Sequence, residues 1–381
     1  MKFDVAVVGA GPAGSTLATL LARRGVAVAL VNREEFPRDK LCGEFLSYDA
    51  RPIVERLGLS LETPEITRCR VVSRRRVYEF DFPSPARGIS RQLFDDLLFR
   101  TAIGAGAQPF AGWTATALSP LTIERDGERQ TIETRTIVGA WGRWGRFDQQ
   151  LERRFARDRT HRHFGFKRHY RGVDTLLPRA SGGEGGRRPE ERAPHTIDLY
   201  SFRGGYLGVS PVENGLTNIC GLVHASRLAG HKGRWDTFVD TIRAADPRLD
   251  EMYAGYEPAQ EGFLSSEPVI FRARSPLERG IFMIGDAAGI IDPLTGNGMA
   301  MAMQSAVLAL PYVMSGRAEG YGAAHEQFFG SRIRWSRRVA SILSNPALLD
   351  ACLRMVRTPK AGSFLLRHTR ASIDAVERLL K

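Results

Sequence analysis

The chain has 381 residues, of which 43% are hydrophobic and 25% charged, a composition typical of a globular enzyme large enough for two domains. The formal net charge is +12, and the 54 basic residues are six lysines and 48 arginines. Such a bias fits genomic composition, or attraction to an acidic carrier protein, a phosphorylated substrate or an anionic membrane. No zinc-finger or RNA-binding spacing accompanies the charge, which argues against nucleic acid as a partner.

The four cysteines, Cys42, Cys69, Cys220 and Cys352, form no C-x-x-C pair and no metal-ligand spacing. This pattern predicts a cytoplasmic protein without a metal site. The chain enters an apolar strand at once, which argues against a signal peptide. The most apolar stretch, 299–314, is typical of a buried helix rather than a membrane span, and peripheral membrane contact stays open.

The N-terminal stretch KFDVAVVGAGPAGS predicts a buried parallel strand, a glycine turn and a helix over 13–24. Gly9, Gly11 and Gly14 complete G-x-G-x-x-G at this junction. In that motif the first glycine permits the turn, the second lets the backbone approach a pyrophosphate, and the third lets the helix pack on the strand. The helix N-terminus favours a negatively charged phosphate, so the stretch predicts a dinucleotide site.

A second strand is predicted over 26–31, and Asn32 stands where the fingerprint expects an acid for the ribose hydroxyls. An asparagine can hydrogen-bond a hydroxyl, but without charge assistance. Arg33 alone does not indicate a 2′-phosphate. The departure leaves open which dinucleotide binds.

The next segment, 35–47, is predicted to be a loop beside the cofactor, and a helix follows over 48–57. Cys42 and Gly43 lie in this loop, and glycine permits close approach of backbone N–H groups to a ligand. Residues 67–82 predict two strands, which a loop over 83–88 follows.

Residues 88–107 predict a helix with Ser90 as the N-cap. Arg91 opposes the helix dipole at this end, which indicates a nearby anion unless the arginine is simply solvated. The predicted apolar face consists of Leu93, Phe94, Leu97, Leu98 and Ile103.

The centre of the chain predicts a mostly antiparallel sheet. A basic strand near 161–170 carries His161, His163 and His169, which we interpret as a charged strand face because further metal ligands are missing. The remaining predictions are a hairpin turn at Asp126-Gly127, a strand over 136–140, a mobile loop over 180–194, three strands with turns at 203–205 and 213–215, a helix over 235–244, and a loop holding Pro247 and Pro258.

A second informative stretch is GIFMIGDAAGIIDPLTGNGMAMAM. Asp286 follows a buried strand predicted over 281–284, at the edge where open parallel sheets bind ligands. The loop 293–298 opens a long apolar helix whose free N–H groups suit an anion or an electron-rich ring edge. Residues 321–381 predict further helices without evident catalytic spacing.

Together these motifs resemble the FAD-dependent flavoprotein monooxygenases of the para-hydroxybenzoate hydroxylase type. The stretches FPRDKLCGEFLS and GGYLGVSPVENGLTNICGLV resemble more closely the geranylgeranyl-reductase-like branch of that superfamily. The resemblance implies an α/β fold with a Rossmann-like FAD-binding domain of the glutathione-reductase type, an inserted mostly antiparallel β substrate domain, and a helical C-terminus. It implies FAD-binding segments at 1–66, 88–155 and 265–320, a substrate domain of 67–87 and 156–264, and a C-terminal region of 321–381.

The resemblance also implies which residues contact FAD. The glycine turn would line the pyrophosphate, Arg91 would contact phosphate or ribose, Asp286 would bind the ribityl chain, and Met299 would approach the isoalloxazine. By the same analogy Tyr206 is a substrate-pocket candidate, with a packed core tyrosine as the equal alternative. The full implied set is Gly9, Gly11, Pro12, Ala13, Gly14, Asn32, Arg33, Cys42, Gly43, Arg91, Asp286, Gly298 and Met299.

The resemblance implies a hydroxylase of a biosynthetic pathway, acting on an aromatic or polyketide-like and sometimes carrier-bound compound through reduced flavin, O₂ and a C4a-hydroperoxyflavin. The alternatives are a reductase of isoprenoid double bonds and a non-enzymatic FAD-binding module. Trp141 replaces an aspartate of the hydroxylases, which leaves open whether NAD(P)H or a separate reductase partner supplies electrons. The Trp-x-Trp-x-x-Pro segment of halogenases is missing from the sequence, which argues against halogenation.

Overall fold

The computed structural model describes residues 1–143, 145–157, 163–172, 195–231, 233–266, 268–356 and 360–381. The predicted positions of His161 and of the loop over 180–194 lie outside these residues.

The described elements follow one another along the chain as strands and helices. The strands are β1 Lys2–Val8, β2 Val28–Asn32, β3 Phe45–Leu46, β4 Glu65–Val72, β5 Val77–Gly88, β6 Gln108–Ala111, β7 Thr114–Leu118, β8 Leu121–Arg125, β9 Glu128–Gly139, β10 His163–Gly172, β11 Thr196–Phe202, β12 Gly205–Pro211, β13 Leu216–His224, β14 Tyr256–Pro258, β15 Leu264–Ser265, β16 Leu277–Glu278 and β17 Ile281–Met283. The helices are α1 Pro12–Ala22, α2 Arg51–Leu57, α3 Arg91–Gly104, α4 Arg146–Gln150, α5 Ala225–Leu228, α6 Trp235–Ala245, α7 Pro247–Ala254, α8 Gly298–Ser315, α9 Tyr321–His325, α10 Ser331–Leu343, α11 Pro346–Met355, α12 Lys360–Thr369 and α13 Ile373–Leu380.

The first sheet forms around the N-terminal apolar run. Its strands β17, β9, β1, β2 and β6 lie in that order and run parallel. The run Val5–Val8 is buried because both faces of the sheet are covered. The predicted separate strand over 136–140 is wrong: β9 is one strand of 12 residues, whose first part pairs with β8 and whose last part pairs with β1.

The second sheet confirms the predicted mostly antiparallel β structure. Its order is β14-β10-β13-β12-β11-β4-β5-β3, with one parallel pair, β11 with β4. The predicted loop over 83–88 is wrong, because β5 continues through its two prolines to Gly88. Arg87 and Gly88 pair with β3, and the ladder to β4 shifts register between Ile66 and Arg68, where unpaired prolines are tolerated.

The three largest apolar cores among the described residues join these layers. The first lies between the parallel sheet and the helices α1, α3 and α8, and the third between the second sheet and the helices α6 and α7. The second core lies on the opposite face of the second sheet, against α10, α11 and α12. The C-terminal helices therefore cover one face of that sheet.

Helix α8 is long and apolar enough to cross a membrane by length and composition, and among the described residues no other helix passes that test. Within its 18-residue window, 67% is buried inside the protein. The helix packs on α1 and ends at Gly316 in the left-handed conformation, as a core helix does.

Three local predictions on helices need correction. Helix α3 spans 91–104 rather than 88–107, with Ser90 Oγ accepting a hydrogen bond from the Leu93 N–H at 3.1 Å, as an N-cap does. Ile103 is 37% exposed and so does not belong to the apolar face. The predicted loop at Pro247 is a helix, α7, because Asp246 caps it and proline is compatible with its first turn.

The C-terminal helices bury a histidine. His325, at the end of α9, lies between Tyr321 and Phe329, with ring centroids 6.2 and 4.7 Å away. Burial lowers the pKa of His325 to about 4, which Glu326 partly opposes and Arg332 reinforces.

This histidine predicts acid-dependent loss of stability. The unfolded chain binds a proton at His325 below pH 6.5, and the folded chain only below about 4, so the free energy of unfolding falls as the pH drops through this window. His325→Phe should reduce that fall by roughly 2–3 kcal/mol. Urea unfolding at about pH 7 and about pH 4.5, at fixed FAD concentration, measures it. Equal pH dependence in both proteins would contradict the prediction.

Candidate functional site

The glycine turn joins β1 to α1. Gly9 has φ +111°, and a Cβ there would lie 2.2 Å from the carbonyl oxygen of Ala140. A Cβ at Gly14 would lie 1.8 Å from the carbonyl oxygen of Gly9. A Cβ at Gly11 would meet within 4 Å only the Arg91 guanidinium, at 3.8 Å. The outer glycines are thus required by close packing, whereas the middle one borders open space.

Helix α1 begins at this turn without a side-chain cap. Gly11 is its N-cap, and Pro12 occupies the first turn. The helix has no acidic residue in its first turn, so its N–H groups and dipole remain available to an anion. Ala13 lies against the loop that follows β17, since a Cβ at Gly285 would be 2.9 Å from its methyl group.

Arg91 lies beside the glycine turn, and its counter-ion belongs to the same helix. The guanidinium donates two hydrogen bonds of 2.7 Å to Asp95. Although burial disfavours the charge, Asp95 raises the pKa of Arg91 above its ordinary value. The position of Arg91 at the start of α3 predicts a nearby anion, and Asp95 is such an anion. The outer side of the guanidinium still faces Gly11.

Asn32 braces the turn from the end of β2. Its Oδ1 accepts a hydrogen bond from the Ala10 N–H at 3.2 Å, and its Nδ2 donates to the Glu34 carbonyl at 2.5 Å. Arg33 points away, with 71% of its side chain exposed. Although partial burial acts in the opposite sense, Lys40 and Arg38 lower the pKa of Glu34 to about 2.

A buried carboxylate, Glu44, holds the loop that carries Cys42 and Gly43. Its Oε1 accepts hydrogen bonds from Lys167 Nζ at 2.6 Å and from the Arg91 N–H at 2.8 Å. Its Oε2 lies 2.6 Å from His169 Nε2. Glu44 has φ +55°, a conformation that non-glycine residues rarely adopt. We call Glu44, Lys167 and His169 the Glu44 cluster.

The Glu44 cluster corrects the prediction of a charged strand face on β10. Lys167 is fully buried and also donates to Asp39 Oδ1 at 2.6 Å. Burial alone would lower its pKa, but Glu44 and Asp39 raise the pKa of Lys167 above its ordinary value. The i, i+2 spacing of Lys167 and His169 signals one shared strand face, but the sequence does not show that this face points inward.

Asp286 and Gly298 are brought together at the carboxyl end of β17. Both line a small cleft with Gly285, whose N–H donates to Ser305 Oγ at 2.7 Å. The Asp286 carboxylate is partly exposed and carries no hydrogen bond within the part of the chain that the structure describes. Met299, one residue into α8, is buried.

Tyr206 is buried, which agrees with the alternative of a packed core tyrosine. Its buried hydroxyl donates to Asp292 Oδ1 at 2.9 Å, and the same oxygen accepts from the Leu294 N–H at 3.1 Å. Burial raises the pKa of Asp292 to about 6, against the effect of these two hydrogen bonds. Tyr206 thus positions the loop that leads into α8.

A large cavity, absent from the sequence-based predictions, lies between the second sheet and the C-terminal helices. Its volume is about 260 Å³. We call it the apolar cavity, because its lining is almost entirely hydrophobic. Among the described residues that line it, the one charged side chain is Arg370. The lining includes Phe45, Val71, Tyr78, Phe80, Phe82, Leu199, Leu294, Thr295, Gly296, Ile342, Leu353, Phe364 and Arg370.

Trp141, which the resemblance places where the hydroxylases carry an aspartate, lies directly after β9. Its Nε1 donates to Asp148 Oδ1 at 3.2 Å, and its ring fills the space over Gly139 and Gly145. Asp148 is fixed in turn by the buried Arg153 at 3.0 Å. This corner is therefore packed internally. Within the described residues, no group of three or more His, Cys, Asp or Glu side chains could hold a metal ion.

Comparison with known proteins agrees with this geometry. A family model described as an FAD binding domain matches residues 2–63. A tryptophan 2-halogenase from Chondromyces crocatus is 27% identical, and the match covers 88% of this chain and 67% of the relative. A menaquinone reductase from Mycolicibacterium smegmatis is 27% identical, and the match covers 92% of this chain and 86% of the relative. Digeranylgeranylglycerophospholipid reductase 2 from Methanopyrus kandleri is 28% identical, and the match covers 78% of this chain and 74% of the relative.

The fold is shared with a geranylgeranyl bacteriochlorophyll reductase-like protein from Thermoplasma acidophilum, at a TM-score of 0.73, 18% identity and 99% coverage of both chains. These matches support an FAD-dependent oxidoreductase. The resemblance to the para-hydroxybenzoate hydroxylase superfamily and to its geranylgeranyl-reductase-like branch is confirmed.

The glycine turn allows a first test. Gly14→Ala should lower the free energy of unfolding by more than about 2 kcal/mol and reduce bound FAD, because the added methyl group collides with backbone. Gly104→Ala is the matched control, since open space surrounds that position and the change should be within about 0.5 kcal/mol. Thermal unfolding and flavin absorbance of the purified proteins measure both. Equal behaviour of the two variants would contradict the steric argument.

The Glu44 cluster allows a second test. Glu44→Gln leaves buried Lys167 with one carboxylate fewer and should destabilise the protein by about 3–5 kcal/mol, with loss of FAD. Glu55→Gln is the control, because its pair with Arg51 is exposed and should contribute at most about 0.5 kcal/mol. Denaturant unfolding and FAD titration would report the difference. A Glu44→Gln protein as stable as the control variant would show that the cluster is dispensable.

Proposed function

We propose that FAD binds along a continuous band formed by the glycine turn, Arg91, the Cys42-Gly43 loop and the Asp286 and Gly298 loops. The residues present fit this group. Gly11 and Gly43 border open space where a side chain would intrude, and the free N-terminus of α1 suits a pyrophosphate. The Asp286 carboxylate is available to the hydroxyls of a ribityl chain. When bound, FAD supplies hydride chemistry at its ring system.

The substrate, we infer, is largely apolar and occupies the apolar cavity. This inference rests on the residues that line the cavity. Aliphatic and aromatic side chains of the second sheet face α10, α11 and α12 there. The cavity reaches Leu294, Thr295 and Gly296, which precede the N-terminus of α8. An apolar chain gains stabilisation from each methylene group removed from water. Polar aromatic acids would leave most of this surface unused.

The reaction that this lining supports best is reduction of a carbon–carbon double bond in an isoprenoid-like substrate. When bound, reduced flavin would supply the hydride for one carbon, the other carbon would take a proton from solvent, and the electron donor would then reduce the oxidised flavin again. Two relatives have names that specify reductases of lipids, which agrees with an apolar substrate. The protein would orient the chain along the cavity and exclude water.

Hydroxylation of an aromatic or polyketide-like compound, the first choice from the sequence, is the second candidate. A row of aromatic rings favours it, because Phe45, Phe82, Phe80 and Tyr78 follow one another at centroid distances of 5.4, 5.9 and 5.8 Å. Such rings can stack on a planar substrate. Activation of a phenol, however, requires a base, and the described cavity lining contains neither a carboxylate nor a histidine.

The proposed function predicts the fate of electrons in the FAD-loaded protein. After anaerobic reduction by dithionite, addition of geranylgeranoate, whose first double bond is conjugated to its carboxylate, should reoxidise the flavin and yield a product heavier by two hydrogen atoms. A product heavier by one oxygen atom, formed only with O₂ and an aromatic substrate, would establish hydroxylation instead. Parallel reduction by NADH and NADPH would distinguish a nicotinamide donor from a partner reductase.

Two tryptophan substitutions on α11 locate the reaction in the cavity. Leu353→Trp projects into the apolar cavity and should slow substrate-dependent reoxidation at least tenfold, with dithionite reduction unchanged. Leu348→Trp is the control, because that side chain is 43% exposed on the same helix. Full turnover by the Leu353→Trp protein would remove the cavity from the proposed function.

A further inference from the structure

Arg370 is a cation at one end of an otherwise apolar cavity, and the mechanism above does not use it. It lies between α12 and α13, in a region of the sequence without catalytic spacing. Burial lowers the pKa of its guanidinium, which Asp49 partly opposes. An arginine nevertheless stays charged at neutral pH. A permanent charge in an apolar cavity is costly unless a counter-charge reaches it.

Neutral oxygens from three parts of the chain hold this guanidinium in place. Nε donates to Ser47 Oγ at 2.8 Å, Nη2 to the Thr295 carbonyl at 2.7 Å, and Nη1 to Thr369 Oγ1 at 3.3 Å. These bonds occupy three of the five N–H groups. Across the described residues, no carboxylate oxygen lies within 4.0 Å of it, and Asp49 instead accepts hydrogen bonds from Gln304 and from the Ala371 N–H.

The aromatic row gives the cavity a direction. Arg370 lies 6.0 Å from the Phe45 ring centroid and 5.5 Å from that of Phe82. Phe45 packs against Gly296, beside the N-terminus of α8. At the other end of the row, Tyr78 accepts a hydrogen bond from the Gly362 N–H on α12 at 2.9 Å. The cation therefore marks the end of the cavity nearest the proposed isoalloxazine position.

We propose that Arg370 binds an oxyanion head group of the substrate, a carboxylate or a phosphate, while the apolar chain extends along the aromatic row towards Tyr78 and the first turn of α12. This inference rests on the proposed function for its cavity and deepens it by naming the polar end of the substrate. The head group would supply a counter-charge in direct contact with the guanidinium, which Asp49 does not, and the two remaining N–H groups suit hydrogen bonds to such a group. The double bond that reacts then lies near the head group, not at the tail.

Binding of three probes with the same chain tests this assignment without turnover. Dodecanoate, dodecyl phosphate and dodecanol would be titrated into FAD-loaded protein by calorimetry. We expect at least one of the two anions to bind about tenfold or more tightly than the alcohol, since charge-assisted hydrogen bonds to a desolvated cation are strong. The preferred anion distinguishes a carboxylate from a phosphate head group. Equal affinity for all three probes would overturn the proposal.

Two substitutions separate head-group binding from a structural role. Arg370→Met keeps the length of the side chain and removes its charge, so it should abolish the preference for anions and leave dodecanol affinity unchanged. Arg370→Lys keeps the charge and should retain most of the preference. Equal loss of all three probes in the Arg370→Met protein, or preserved anion preference, would overturn the proposal.

The cavity itself is tested by Leu353→Trp, which should weaken all three probes. If Leu353→Trp has no effect on any probe, the proposed function loses its substrate cavity. If Leu353→Trp blocks the probes but Arg370→Met behaves as the native protein does, only the head-group assignment fails.

Discussion

A single buried carboxylate fixes the relation between the two sheets. Glu44 is fully buried and is compensated by the Lys167 ammonium, the His169 ring and the first N–H of α3. Removing a carboxylate and an ammonium from water costs several kcal/mol each, so the arrangement persists only with this nearly complete set of partners. Lys167 and His169 belong to the second sheet, whereas α3 packs on the first. The loop with Cys42 and Gly43 is thereby held between both, and the positive φ of Glu44 is maintained by contacts that over-determine it.

The predictable parts of the fold are those with a local cause. The glycine turn, the hairpin at Asp126-Gly127 and the cap at Ser90 each follow from a few neighbouring residues, and the structure contains all three. The prolines at 83 and 85 predict a loop by the same local logic, yet pairing with β3 makes that segment a strand. A related reason explains why the sequence does not predict β9 as one continuous strand. Its two halves have different partners, and only the assembled sheets show that one strand serves both.

The site divides in the same way between local and distant causes. Close packing at Gly9 and Gly14 could be read from the motif, because the turn geometry is encoded within six residues. The Glu44 cluster could not be predicted from the sequence, because Glu44 and Lys167 are 123 residues apart. For Tyr206 the sequence leaves a substrate-facing and a packed position open, and the hydrogen bond to Asp292, 86 residues away in the sequence, shows how it is packed. The apolar cavity exists only because α10, α11 and α12 cover the second sheet, and helical periodicity does not specify which face they cover.

Cavity polarity also bears on which reaction this fold can support. Addition of hydride to an isolated double bond develops negative charge on carbon, and an apolar lining offers nothing to stabilise it. A double bond conjugated to an oxygen-bearing group transfers that charge to oxygen. At the end of the cavity near Thr295 and Gly296, a developing oxyanion would face the Arg370 guanidinium, which three neutral acceptors already hold in place. A preorganised donor of this kind stabilises charge without reorganising during the reaction. The same cation that makes an apolar cavity costly to build would then lower the barrier for reduction, and it offers no comparable help to a hydroxylation, which needs a base.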